Sequence, residues 1–582
     1  MKLRKSFLLT LCFLLITTIA WAATPTIAVE ELQPGMRGYG KTVIKGADIE
    51  TFDVEVLGVT GSETGGYSIL IKASGPLLEK SGGIAQGMSG SPVYIDGRLA
   101  GAVAYGRAFS DPNYCFLTPI DDMLKLFDTP DPRPSVFLPK NTPLMAAGFT
   151  RAGLAYLNEN LKEFNLTSYA VPTGSGDFAD VKLEPGSSVG VELIRGDINL
   201  GAIGTVTWTD ENGRLLAFGH PFLQRGTADY FMTNAWIFAS IPNMQSAFKV
   251  GALGNSLGRI SQDRSTGIAG EIGQNAKVIP VFVSVTDKDR GEHKTSTVQL
   301  VTNEDLAPAL IDSVSYNTIS KTADRQGGGT SRITFDITAR GGKEGEIHLK
   351  RENMFYHPTD IAKNTDAELR YACSMLMQNK FDKVTLFDVN VDVETTSQPE
   401  VAEILSAVLP KEPVVQGGVL PIKITFKPYR HPQITRIVNF KVPDKQIPGP
   451  MNLIVRSGNS TGWLRIALQK QKQAGRTVTM GGEKKLEFKD FIKEFNTADS
   501  NNEIVVDIMP RPNKAAAKAA ADALIAAQKK EKEDNGEEDI TKTLNNVLGL
   551  RSILSGSKYK QKFSMDFIST GEINLTANVK AR

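Results

Sequence analysis

Cysteine, histidine and long apolar runs are all scarce in this chain, and each scarcity narrows what the protein can be. Only three of 582 residues are cysteine: Cys12 lies in the first apolar stretch, and Cys115 and Cys373 stand far apart in no metal-ligand spacing. Two isolated, buried, inert thiols are expected rather than a disulfide, because free cysteine packs as a small apolar residue. No apolar run after the N-terminus reaches the roughly 20 residues needed to cross a bilayer. His-Glu-x-x-His, Cys-x-x-Cys and Walker patterns are missing, and Gly251, Gly254 and Gly258 fit no dinucleotide-binding spacing, so neither a metal nor a cofactor is expected. Excess charge is missing too. The 66 basic residues nearly balance 64 acidic ones, and the first five residues hold three of the basic ones, so the remainder carries 63 against 64, which argues against a nucleic-acid partner.

What is present begins with a leader. Met1-Lys2-Leu3-Arg4-Lys5, the apolar run Phe7 to Ile19 and the small-residue site Ala20-Trp21-Ala22 make residues 1–22 a secretory signal peptide. The expected product is exported, periplasmic or secreted, with no stable membrane span after cleavage and no lipid-anchor cysteine behind the cut.

Abundant glycine, 53 residues, and short alternating apolar runs predict a mainly β protein. In Thr51-Phe52-Asp53-Val54-Glu55-Val56-Leu57 the apolar positions alternate with polar ones, and residues 23–127 read as a first β-barrel. Residues 128–185 form a linker, opened by three prolines in Asp128 to Pro134 and containing a short helix around Arg151 to Phe164. A second strand-rich barrel follows at 186–322, with a hairpin turn at Thr209 to Gly213. Residues 330–400 read as a small α+β unit, 405–480 as an immunoglobulin-like β-sandwich, and 481–582 as a C-terminal region with an Ala/Lys/Glu-rich insert at Asn513 to Asp539 and a closing strand near Phe563 to Val579.

One segment carries chemistry. Gly82-Gly83-Ile84-Ala85-Gln86-Gly87-Met88-Ser89-Gly90-Ser91-Pro92 surrounds a serine with glycines and runs into the hairpin Val93-Tyr94-Ile95, Asp96-Gly97, Arg98 to Val103. A nucleophilic serine needs an exposed hydroxyl and two backbone N–H groups aimed at the developing oxyanion, which Gly87 and Ser89 would supply. An α/β-hydrolase elbow is disfavoured, since Ser91 stands where its second glycine belongs and a strand follows. Among the five histidines, His220 alone ends an apolar strand, Leu215 to Gly219, and is stopped by Pro221, which makes it the candidate base for Ser89.

The run Leu77 to Pro92, with Gly219-His220 in its strand, resembles the SpoIVB-type serine peptidase family. That resemblance implies a two-barrel chymotrypsin-like fold over the two strand-rich regions, with Ser89 as nucleophile and His220 as general base. The chain departs from the family twice. Its serine segment precedes its histidine segment, a permuted order that triad geometry tolerates, and the family's acid position, fifteen residues before the nucleophile, is Ser74. Asp197, Asp210 and Asp229 flank His220 as candidate orienting acids, and Ser74 could itself accept from the imidazole. The resulting expectation is an exported serine endopeptidase that forms an acyl-enzyme on a protein or peptide substrate or on its own chain. The alternative is a weak or inactive relative that binds peptide or scaffolds the envelope. Oligomeric state leaves no signal in the sequence.

Overall fold

A computed structural model describes residues 24–62, 66–106, 110–128, 143–172, 178, 181–243, 247–461, 487–509 and 559–582. The segment read as a signal peptide, the proline run after Asp128 and the Ala/Lys/Glu-rich insert lie outside the described residues. The chain divides into two units, Met1–Gly148 with Leu161–Val278, and Phe149–Asn160 with Ile279–Arg582.

In the first unit, alternation produces a closed barrel. Strands β1 (Arg37–Thr42), β2 (Glu50–Ser62), β3 (Gly66–Ser74), β4 (Pro92–Ile95), β5 (Arg98–Tyr105) and β6 (Tyr114–Pro119) pair in the order β1-β2-β3-β6-β5-β4, and β4 returns to β1. Phe52, Val54 and Val56 of β2 and Ile69, Ile71 and Ala73 of β3 fill its interior, which the period of two requires. Asp96 and Gly97, both with positive φ, turn β4 into β5. Helix α1 (Pro76–Ser81) precedes the serine loop, and α2 (Ile120–Leu124) follows β6.

A second ring of strands lies in the same unit: β9 (Ser188–Gly196), β10 (Asn199–Thr209), β11 (Arg214–Ala217), β12 (Gly226–Ile241), β13 (Phe248–Arg264) and β14 (Gly267–Ile272). Pairing runs β9-β12-β13-β14-β11-β10 and comes back to β9, closing the ring, while β7 (Leu144–Ala147) and β8 (Ser168–Ala170), from the segment read as linker, extend it beside β10. The two barrels meet through apolar contacts. Tyr94, Leu99, Ala102, Ile120 and Met123 share one cluster with Leu216 and Ala269, and Val43 shares another with Ile203, Ala235 and Ile237.

The second unit takes α3 (Arg151–Leu161) up to Asn160 and continues with β15 (Val278–Asp287), β16 (Glu292–Val301), α4 (Ala307–Ala323), β17 (Gly329–Gly341), β18 (Gly345–His357), α5 (Ala367–Met377) and β19 (Val384–Thr396). Its strands lie in the order β16-β15-β19-β17-β18. Helix α4 falls in a stretch the sequence reads as strand-rich, and it is buried almost all round. Its strand-favouring residues are accommodated because Ser313, Thr318 and Thr322 donate their hydroxyls back to Ala309, Val314 and Thr318 carbonyls at 2.7–2.8 Å.

Farther on, β20 (Val401–Val408), β21 (Val414–Val415), β22 (Val419–Pro428), β23 (Ile434–Lys441), β24 (Gly449–Ser457), α6 (Phe488–Asn496), β25 (Glu503–Ile508), β26 (Gln561–Ser564), β27 (Ile568–Thr570) and β28 (Glu572–Lys580) build a sandwich. Its sheets run β23-β22-β20-β27 and β21-β28-β24-β25-β26. Ile422, Ile424, Phe426 and Phe440 share one core with Val455, Ile504, Val506 and Val579, so strands from both sides of residue 480 belong to one sandwich. The single closing strand expected near 563–579 is three short strands spread over both sheets. Cys115 and Cys373 are buried and unbridged.

Candidate functional site

The serine loop joins α1 to β4, and its conformation follows from where its side chains go. Met88 is fully buried in the first barrel and its sulfur accepts from Ala85 N–H at 3.3 Å, so Ser89, next along the chain, is turned away from that core. Gly87 and Gly90 have φ of +91° and +94°, a region where a side chain is strained. Gly90 must also be bare, because a Cβ there would lie 2.0 Å from the Thr205 carbonyl oxygen and 2.4 Å from Phe218 N. Backbone hydrogen bonds hold the rest of the loop: Met88 N–H to Ala85 O, Ser91 N–H to Met88 O and Gly90 N–H to Val103 O at 2.7 Å. Among the described residues, the N–H groups of Gly87 and Ser89 make no such bond. Two donors within three residues are thus left without a backbone acceptor among the described residues. Ser89 Oγ is bonded to no other described residue, while the neighbouring Ser91 Oγ is buried and unpartnered.

His220 follows β11 at a tight corner. Phe218 and Gly219 both have positive φ, and Thr118 Oγ1 of β6 donates to the Gly219 carbonyl at 2.5 Å. The imidazole is 1 % exposed, between Tyr105 and Phe218, whose ring centroids lie 6.2 and 5.9 Å away. Its Nδ1 lies 2.7 Å from the Pro221 carbonyl oxygen. A carbonyl only accepts, so Nδ1 carries the hydrogen and Nε2 presents its lone pair. Burial without a carboxylate disfavours imidazolium and holds the pKa down at about 4. Nε2 is buried and has no hydrogen-bond partner among the described residues.

The two segments converge on one atom. Gly90 N–H donates to the Val103 carbonyl, and a Cβ on Gly219 would lie 3.0 Å from that same oxygen. Ser89 and His220 are each one residue from this junction, although no hydrogen bond joins their side chains.

None of the candidate carboxylates is hydrogen-bonded to His220. Asp197 is exposed in the β9–β10 turn, Asp210 is tied to Asn212 N–H and the Arg214 backbone and guanidinium in the next turn, and Asp229 on β12 keeps a buried Oδ1 without a partner. Ser74 ends β3 exposed and opposite Asp53 of β2. Pro221 O, rather than any of these side chains, takes the His220 Nδ1 hydrogen.

Three residues important to this geometry escaped sequence reasoning. Asp263 of β13 accepts from Phe222 N–H and Leu223 N–H, each at 2.7 Å, and so ties down the loop after His220. Burial keeps its carboxyl above the usual range, against the pull of the backbone N–H groups of Leu223, Phe222, Gln224 and Arg225. Thr205 of β10 clamps the serine loop twice, N–H to Ser89 O at 2.8 Å and Oγ1 to Gly87 O at 3.0 Å. Lys249 of β13 is 1 % exposed beneath Gly87. Its sequence neighbourhood, Ala-Phe-Lys-Val, carries no sign of that burial.

The first unit thus joins a closed barrel that carries the serine loop to a second ring of strands that carries the histidine corner. Residues 22–124, which carry Ser89, match the family model described as SpoIVB peptidase S55, so this part of the chain is similar to that family. The matched span stops short of His220. No curated protein and no solved structure matches the chain.

Proposed function

We propose that the protein is a serine endopeptidase of the SpoIVB type acting on a protein substrate. The observation that carries the reading is the pair of unengaged N–H groups on Gly87 and Ser89 in a loop whose other amides are occupied. In this reading Ser89 Oγ attacks the scissile carbonyl, and Nε2 of His220 takes its proton and passes it to the leaving amine. The oxyanion is held by Gly87 and Ser89 N–H. Pro221 O does the orienting that a triad carboxylate does elsewhere, fixing the tautomer without stabilising the imidazolium. Losing that carboxylate costs on the order of 10⁴-fold in the template enzyme, so slow turnover follows. Cleavage of its own chain and action after export belong to the same proposal.

The unpartnered Nε2 and the missing acid favour a second reading, a peptidase fold that binds peptide without cutting it. Incubating the protein and Ser89→Ala with a fluorophosphonate probe and casein separates the two. Labelling and cleavage lost in the variant support the enzyme; identical behaviour of the two proteins supports the binding module.

A further inference from the structure

A fully buried lysine normally faces a carboxylate, because an unpaired ammonium is costly to desolvate. Lys249 faces none. Its Nζ lies 3.0 Å from Thr42 Oγ1 of β1 and 3.5 Å from Thr205 Oγ1 of β10, and neither hydroxyl carries charge. From the other elements packed on it come Gly87 and Gln86 of the serine loop, whose Gln86 carbonyl accepts from Lys249 N–H at 2.9 Å, and Tyr169 of β8, whose hydroxyl donates to the Lys249 carbonyl at 3.3 Å. Tyr169 is the one titratable group among these contacts. Ordinary core packing would have placed an apolar side chain here, so the retained amine calls for another explanation.

The hydrogen-bond directions supply one. An ammonium only donates, so the hydroxyl oxygens of Thr42 and Thr205 must accept from it. Thr205 therefore has its single hydrogen free, and that hydrogen goes to Gly87 O at 3.0 Å. The lysine stem completes the hold, since a Cβ on Gly87 would meet Lys249 Cβ, Cγ and Cδ at 3.1–3.2 Å. The geometry points to Lys249 as a positioning residue for the nucleophile loop, its ammonium directing the Thr205 hydroxyl onto Gly87 and thereby fixing both oxyanion N–H groups. The inference rests on the peptidase reading of Ser89. Burial lowers the Lys249 pKa to about 7, so the device operates below that pH. Above it the neutral amine gains a lone pair that competes with Gly87 O for the Thr205 hydrogen.

The test uses Lys249→Met, which keeps the stem and deletes the ammonium, Thr205→Val, which deletes the hydroxyl but keeps the N–H, and Thr205→Ser as the rescuing variant. Lys249→Met and Thr205→Val are each expected to slow fluorophosphonate labelling of Ser89 by about 10- to 100-fold, with no further loss when combined. Thr205→Ser should label like the wild type. The wild-type rate should fall above about pH 7, and Lys249→Met should lack that fall while melting no earlier, because it removes a buried uncompensated charge. Wild-type labelling rates in Lys249→Met, or effects that multiply in the double variant, overturn the inference. Amide exchange across residues 85–90 gives an answer even if wild-type protein resists the probe, an outcome that would count against the peptidase reading alone. Exchange there should quicken in Lys249→Met and Thr205→Val but not in Thr205→Ser, and unchanged exchange in Lys249→Met refutes the positioning role.

Discussion

Asp263→Asn probes how the histidine corner is held. The carboxylate is buried and takes Phe222 and Leu223 N–H at 2.7 Å each, both charge-assisted bonds. Asparagine keeps one oxygen and sets an NH₂ against the other amide. One charge-assisted bond is lost and one half-buried backbone N–H is left without that acceptor, which together cost about 3 kcal/mol. Because 1.4 kcal/mol is a factor of ten, local opening of the loop should be about a hundredfold more populated. Hydrogen–deuterium exchange of a peptide spanning residues 219–226 measures this directly. The expected result is about a hundredfold faster exchange at Phe222 and Leu223, with slower probe labelling of Ser89 as His220 loses its fixed corner. Wild-type exchange in Asp263→Asn would show that the carboxylate does not hold the loop, and the account of His220 positioning would fail with it.

Three further outcomes are expected. Gly90→Ala should destabilise the first unit by at least about 3 kcal/mol, read by urea denaturation, since the added Cβ meets the Thr205 carbonyl at 2.0 Å and φ is +94°; a wild-type midpoint would contradict the tight junction. His220 titrates near 6.5 when unfolded and about 4 when folded, so the unfolded chain holds more protons between those values. Stability present above pH 6.5 should therefore be lost as pH falls toward 4, by up to about 3 kcal/mol, and His220→Gln should flatten that part of the curve. In the second unit Asp366 is fully buried, and burial first, then the neighbouring Asp312 carboxyl, pushes its own carboxyl well above the usual range. Folding then takes up a proton, stability declines as pH rises above about 4, and Asp366→Asn should raise stability at neutral pH and remove that decline; a loss of stability would mean the carboxylate has a partner that matters.

The parts of this molecule legible in its sequence are those whose side chains act locally. The β4–β5 hairpin announces itself through Asp96-Gly97, β2 through the alternation of Phe52, Val54 and Val56, and the serine loop through glycines that only a strained turn needs. Long-range pairing was not legible. Asp263 lies about forty residues past the loop it caps, and nothing local marks it as buried. Lys249 sits on a strand where lysine ordinarily means a solvated face; its burial arises from Gly87 closing over it. Helix α4 hides behind serine and threonine, because hydroxyls bonded to preceding carbonyls let it be polar in composition yet buried. The strands after residue 560 read as an appendix, and only their pairing with β20, β21, β24 and β25 makes them part of the sandwich.

The central claim, that Ser89 is a nucleophile served by the His220 corner, is tested most directly by mapping the fluorophosphonate adduct by mass spectrometry. A single modified peptide carrying the adduct on Ser89 is expected, with the label falling by orders of magnitude in His220→Gln and vanishing in Ser89→Ala. An adduct on another residue, or equal labelling of Ser89 in wild type and His220→Gln, would contradict it.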